Sequence, residues 1–484
     1  MGASQIQKAQ PWIDKMVIQG VAFIVLPAAI GLGVHFQYWE IPEKAQYIGM
    51  IVMMTFIICN LVKFPDYLLA TIIIYLPFTR TFEINLAPGI NITNLLLILL
   101  LLARYLLVQQ DANRKSWSDP NGTLVSLWAF LSLASILTAM VRMGPGFIFS
   151  DQLILVKGWL DQFIIYFCYY GIVRDQRSIQ RIVIYMMVAT IFVSIWGADE
   201  WITRSNARSM DEAAITGPQL QRNDFGAFIT CSAGIFLALF FFDVFNYRTW
   251  IILPILYLIL RLLLGTFSRG SYLGFGLALF LIIHAKGKKF LLGTLLLAVI
   301  TIAVFPQLIP GSMKARLQQT TIENSEGKET IDPSAQTRLI LWKAAFNMIL
   351  ESPFIGKGFG TFPYLKGQYT EIPVLERDNH NMYLYIASQM GVPALVVFVM
   401  IIYRLYRQGL GLYRRSHDIN VRIIGLGAVA MAGGVFMINM FGSRMVDISV
   451  MGYMWIYLAI ISRLEQQKIM VQFNEACPKD RKMQ

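Results

Sequence analysis

Apolar windows of about 20 residues recur along almost the whole of this chain, and each is long enough to cross a ~30 Å hydrocarbon core as a helix. In that solvent the backbone must satisfy its own polar groups, so only helices and closed barrels can span. Of the 484 residues, 56% are hydrophobic and only 14% are charged, where a soluble domain carries about 25%. The expected fold is all-α: a polytopic transmembrane bundle of about fourteen spans forming one integrated membrane domain. Their centres fall near Ile24, Met53, Ile73, Leu99, Leu131, Phe163, Met187, Ala233, Leu256, Leu277, Leu297, Val396, Met431 and Met454. The first apolar stretch, Met16 to Val34, is long enough to remain as a span, and no cleavable leader is evident.

One long polar stretch interrupts the pattern. It separates an N-terminal set of spans (1–305) from a loop (306–381) and a C-terminal set with a tail (382–484). Lys and Arg concentrate in alternate loops, for example Lys286, Lys288 and Lys289, then Arg404, Arg407, Arg414 and Arg415. The intervening short loops hold few, such as Lys44, Arg80, Arg142 and Arg444. By the positive-inside rule the first set is cytoplasmic, so both termini lie inside and the long loop, between the eleventh and twelfth spans, lies outside. The net charge of +12 is then orientation charge, and no nucleic-acid partner is expected. Cys59, Cys168, Cys231 and Cys477 have neither disulfide nor metal-ligand spacing.

The outer segments hold the residues with chemical potential. Asp332-Pro333-Ser334 is a helix start, and Leu339, Trp342, Phe346 and Ile349 then recur at helical spacing beside Arg338. Either Arg338 is a solvated charge or it is an anion-binding group held near the membrane surface. Gly356-Lys357-Gly358-Phe359-Gly360 can point backbone N–H groups at phosphate, or it is a plain tight turn, since the rest of a P-loop is missing. His380 stands between Asn379 and Asn381, which can fix its tautomer, immediately before a span. Arg222 closes the outer segment from Asp199 to Asn223, and Ser268 and Arg269 sit in a tight outer turn. Lys157 and Asp161, one helical turn apart inside a span, are either a structural ion pair or part of a substrate cavity.

Thr266-Phe267-Ser268-Arg269-Gly270, Arg338-Leu339-Ile340-Leu341-Trp342, Ser352 through Gly360, and His380-Asn381-Met382-Tyr383-Leu384 with Gly391 following resemble the bacterial O-antigen ligase and O-antigen polymerase superfamily. The likeness covers Gly265 to Phe398 well and extends more weakly to Gly217 through Phe225, giving a ligase-like region of about 217–398. It implies an inner-membrane glycosyltransferase whose donor is a glycan on undecaprenyl pyrophosphate and whose acceptor is the lipid A core or another glycan. It implies that neither nucleotide sugar, cofactor nor metal is used. Its arginines and loop histidine align with Arg269, Arg338 and His380, with Ser268, Asn379, Asn381, Arg222, Trp342, Gly358 and Lys157 as substrate-binding candidates. A polymerase or a protein-glycosylating enzyme would use the same chemistry. A flippase or transporter is the reading outside this class, but it should place ionisable residues in related halves near the midplane, and no such pairing is visible.

Overall fold

The computed structural model describes residues 52–60, 62–82, 85–87, 90–110, 119–207, 209–304, 321–323, 329–331 and 333–476. The expected span at Ile24, the N-cap Asp332, both termini and most of 305–332 lie outside the described residues. From Met53 onward, every expected span centre falls inside a helix. In chain order the principal helices are α1 (Asp66–Tyr75), α2 (Ile92–Gln110), α3 (Gly122–Met143), α4 (Leu153–Ile172), α5 (Gln176–Thr203), α6 (Arg222–Phe242) and α7 (Leu253–Gly265). They continue as α8 (Arg269–Lys286), α9 (Lys288–Val304), α10 (Pro333–Glu351), α11 (Met382–Met390), α12 (Val392–Arg415), α13 (Ile419–Ile438) and α14 (Ile448–Ala476). Among the described residues, 8 helical segments are long and apolar enough to cross a membrane. This is an all-α integral membrane protein, and among the described residues it is relieved by two short antiparallel strand pairs, Asn85–Ala87 with Ile90–Asn91 and Thr321–Glu323 with Glu329–Ile331.

The bundle is organised around α13, which packs against α12, α6 and α8. Lipid tails are as apolar as leucine, so these contacts rely on close backbone approach between small residues. A Cβ on Gly425 would come within 2.6 Å of the Gly409 carbonyl, and one on Gly409 within 2.7 Å of the Gly425 carbonyl. The other central helix, α14, is nearly enclosed and buries Tyr453, Trp455 and Tyr457. Their polar tips are satisfied across helices: the Tyr453 hydroxyl donates to the Ile73 carbonyl at 2.8 Å, and the Trp455 indole donates to Gln162 Oε1 at 2.5 Å. Peripheral helices turn large apolar side chains outward, Val141 and Ile154 among them, as lipid contact requires.

Two features of the loop add to or depart from the reading of its sequence. The first, an addition, is a second apolar face of α10. It buries Leu341, Ala344, Ala345 and Met348, while Leu339 and Phe346 point outward. The buried side packs with Phe362, Leu365, Tyr369, Val374 and Leu384, so the loop has a small core of its own. The second concerns the chain after His380. It enters the nine-residue helix α11, breaks at Gly391 (φ 87°), and only then starts the long span α12.

Candidate active site

Helix direction sorts the charged residues onto two ends of the bundle. α6 and α8 begin at one end with Arg222 and Arg269, and α8 finishes at the other with Lys286. α12 likewise finishes there, with Arg414 and Arg415 in its last turn. At the first end a small open cleft is lined by Arg222, Asn223, Phe267, Ser268, Arg269, Gly270, Arg338 and Phe441. Three sequence-distant guanidiniums thus share one cleft. Two of them stand on the first residues of helices, where the partial positive charge of the helix N-terminus adds to their own. Ser268 occupies the N-cap position of α8 and its Oγ accepts from the Ser271 hydroxyl at 3.0 Å. Arg222 is ion-paired with the exposed Asp211.

Backbone strain gathers at this end. Among the described residues, three other than glycine have positive φ: Leu220 (57°), Phe267 (52°) and His380 (53°). Phe267 lines the cleft, Leu220 directly precedes the Gln221–Arg222 entry to α6, and His380 is the candidate base. Non-glycine residues hold such conformations only where their surroundings over-determine them, and such strain clusters at functional sites.

His380 is not among the cleft-lining residues, but it lies in the electrostatic field of Arg338. A specific tie holds the two elements together: the Trp342 indole N–H, one turn after Arg338, donates to the Asn379 carbonyl at 2.9 Å. The imidazole is about one third exposed, with Nδ1 3.5 Å from Asp378 Oδ2. Asp378 is itself anchored through Oδ1, which accepts from the Ser443 hydroxyl at 2.6 Å. Burial lowers the imidazole pKa below the usual histidine value; Asp378 opposes this, Arg338 and Arg444 add to it, and Glu376 opposes it. The result is an imidazole poised to be neutral near pH 7, hence able to accept a proton.

The group that faces His380 is therefore Asp378, not the flanking asparagines. Asn381 caps α11, its Oδ1 accepting from the Tyr383 and Leu384 amides at 3.0 and 3.1 Å. Asn379 is buried, and its Oδ1 accepts from the Asn381 amide at 3.1 Å. Trp342 serves as the tie just described. Gly358 is not a phosphate cradle. Its amide donates to the Gln389 carbonyl at 2.9 Å, and those of Lys357 and Phe359 donate to Ser388 at 2.8 Å and Ser135 at 3.1 Å. These three N–H groups are spent anchoring the loop to α11 and α3. Lys157 is paired with the buried Asp161 at 2.6 Å, within α4 and outside the cleft lining.

Sequence reasoning passed over a carboxylate hub beside the cleft. Asp224, in the first turn of α6, accepts from Arg80 Nη1 at 2.7 Å and also pairs with Arg444. Arg80 further donates to the Gln219 carbonyl at 2.9 Å and pairs with Asp447. The 441–447 segment thus contributes Phe441 to the cleft, Ser443 to Asp378, and Arg444 to both Asp224 and the field at His380. Among the described residues no three His, Cys, Asp or Glu side chains gather as a metal site would need.

This constellation falls largely within a recognisable segment. Residues 254–399 match the O-antigen ligase family. A curated relative from Rickettsia conorii with "polysaccharide ligase" in its name is 27% identical over 187 residues, covering 35% of this chain and 44% of the relative. Another from Rickettsia felis, similarly named, is 28% identical over 162 residues, covering 31% of this chain and 38% of the relative. The chain therefore spans less than half the length of these relatives. Arg269, Arg338 and His380 all lie inside the segment that is similar to the O-antigen ligase family.

Proposed function

We propose that this protein transfers a glycan from undecaprenyl pyrophosphate to an acceptor hydroxyl at the outer face of the bacterial inner membrane, with the lipid A core as acceptor. In this reading the termini are cytoplasmic, as the Lys/Arg asymmetry of the loops favours. The observation that carries it is the convergence of Arg222, Arg269 and Arg338 on one cleft at the bundle end where His380 also stands. A multianionic headgroup on a lipid is the ligand that such a cleft suits.

The chemistry follows from the residue types. The bond between the anomeric carbon and the diphosphate oxygen breaks, and a bond to the acceptor oxygen forms. Diphosphate is a good leaving group, so the step calls for charge stabilisation rather than an obligatory acid. Guanidiniums of Arg269 and Arg338 pair with phosphate oxygens through their planar forks and remain charged. Preorganised donors of this kind are each worth about 3 kcal/mol in other enzymes. With Nδ1 directed to Asp378, the Nε2 of His380 is the nitrogen that takes the acceptor proton, worth about 10²–10⁴-fold. Attack opposite the diphosphate inverts the anomeric centre. No metal or cofactor is invoked.

Polymerases and protein O-oligosaccharyltransferases would apply the same machinery to other acceptors. Deleting the gene and analysing surface glycans separates them. Lipid A lacking long glycan, with lipid-linked polymer retained, is the ligase result. Loss of chain length itself means a polymerase, and unchanged glycans with loss of glycosylated protein mean the third reading. Unchanged glycans and glycoproteins alike would sink the proposal.

A further inference from the structure

On α10, Leu339, Lys343, Phe346 and Leu350 follow one another at spacings of four, three and four residues, so they form one stripe along the helix. This stripe faces away from the loop's own core. Leu339, Phe346 and Leu350 are 51%, 53% and 65% exposed, although the opposite face is closed by Leu341, Ala345 and Met348. The apolar surface does not stop at the helix end. Phe354 and Ile355 carry it onward, both largely exposed. The Pro353 carbonyl accepts from the amide of Val392, the first residue of α12, at 2.7 Å. The Phe354 carbonyl lies so close to Gly391 that a Cβ there would meet it at 2.3 Å. From that junction, Val392, Val396, Met400 and Tyr403 descend the outward face of α12, a helix long and apolar enough to span a membrane.

We infer that the outer stripe of α10 is a membrane-surface contact, seated at the boundary between lipid headgroups and acyl chains of the leaflet into which α12 descends. The occupant is lipid because the stripe is continuous with a face that has no other solvent. Leu350 and Phe346 lie only about 6 Å apart along the axis, one and two turns back from the α12 junction, so the two surfaces meet at one depth. Composition agrees. An interfacial helix mixes apolar anchors with a cation on its polar border, and Lys343 supplies one, 72% exposed and paired at 3.6 Å with the 90% exposed Glu371, a surface pair that water and headgroups both reach. The consequence is positional: α10 carries Arg338, so the leaflet surface sets the depth at which that guanidinium meets the cleft. The inference concerns placement and does not depend on the proposed transfer reaction.

The test uses the full chain in nanodiscs. A phospholipid with a photoactivatable diazirine near the glycerol end of its acyl chain is incorporated, irradiated, and the crosslinked peptides mapped. Adducts within 339–355 as well as on α12 are expected. Adducts on the outward face of α12 with none in 339–355 would overturn the inference, whether that stripe then faces water or another protein. An independent measurement places a spin label at Phe346→Cys or Leu350→Cys in a chain whose four native cysteines are replaced by alanine. Oxygen should collide with these labels about 3-fold or more faster than a water-soluble nickel chelate does, with the order reversed at Glu371→Cys. The chelate prevailing at 346 and 350 also overturns it.

Discussion

His380 Nδ1 stands 3.5 Å from the Oδ2 of Asp378, and the other oxygen of that carboxylate is held by Ser443 at 2.6 Å. The pair is thus an imidazole oriented by a carboxylate that is itself fixed, an arrangement suited to keeping one ring nitrogen protonated and the other open. If His380 is the base, transfer by His380→Ala should drop by about 10²–10⁴-fold while donor binding persists. Wild-type turnover by that variant would remove the role.

The same surroundings set a pH dependence. The His380 pKa is lowered from its ordinary value of 6.5, chiefly by burial. The base is active when neutral, so activity should be flat through neutrality and fall only as pH drops through this lowered value. Removing the Asp378 charge with Asp378→Asn withdraws a contribution that raises the pKa, so the acid limb should move lower still. Arg338→Gln withdraws one that lowers it, so the limb should move up. For folding the sign is the same: between the lowered pKa and about 6.5 the unfolded chain binds more protons, so stability rises with pH there and is lost as pH is lowered. A kcat/KM profile with its acid limb unmoved in both variants would mean that another group titrates.

Arg269 and Arg338 line the cleft together with Arg222. Arg269→Lys and Arg338→Lys keep the charge but lose the planar fork, and each should lower kcat by about 10²-fold. A soluble, folded Arg338→Lys protein with full activity would show that charge alone suffices.

The helices at the described span centres were legible because a 20-residue apolar run in lipid must satisfy its own backbone, although 8 of them are long and apolar enough to count as spans, and the Pro333 start of α10 was legible because a first-turn proline has a backbone reason. Its second apolar face was not. In a membrane protein, apolar character fails to separate core from lipid, so the stripe of Leu339 and Phe346 gave no sign that Leu341 and Met348 form a second, buried face. Arg269, Arg338 and His380 were visible through short family motifs, whereas the contact of Arg444 with Asp224 joins residues 220 apart that no local pattern pairs. The positive φ of His380 likewise comes from its surroundings, with a neighbour capping α11 and Trp342 holding Asn379.

The glycine turn gives a stability prediction. Gly358 has φ 101°, and a Cβ there would lie 2.7 Å from both the Cα and N of Ala139. Backbone cannot yield as a flexible side chain can, so Gly358→Ala should cost about 2 kcal/mol or more. Because this turn fixes the loop to α3, the thermal midpoint in detergent should fall, and protease should cut the loop sooner. An unshifted midpoint would mean that the turn is not closely docked.

The carboxylate hub gives the last. Asp224 is only 6% exposed and faces two guanidiniums, Arg80 and Arg444, whose own loops come from opposite ends of the chain. Losing this anion removes the carboxylate partner of Arg444 and leaves Arg80 with Asp447 alone, and breaking a buried pair in this way costs about 3–5 kcal/mol. Asp224→Asn should therefore be severely destabilised. Arg444→Gln should cost less, since Arg80 still partners Asp224. It should also leave a specific mark on the chemistry: Arg444 lowers the His380 pKa, so its loss should raise the acid limb of activity. Combining Asp224→Asn with Arg444→Gln should cost less than the sum of the two, because the second change removes the cation whose carboxylate partner the first takes away. Additive losses in melting, together with an acid limb that does not move, would reduce Arg444 to a surface charge and uncouple this hub from His380.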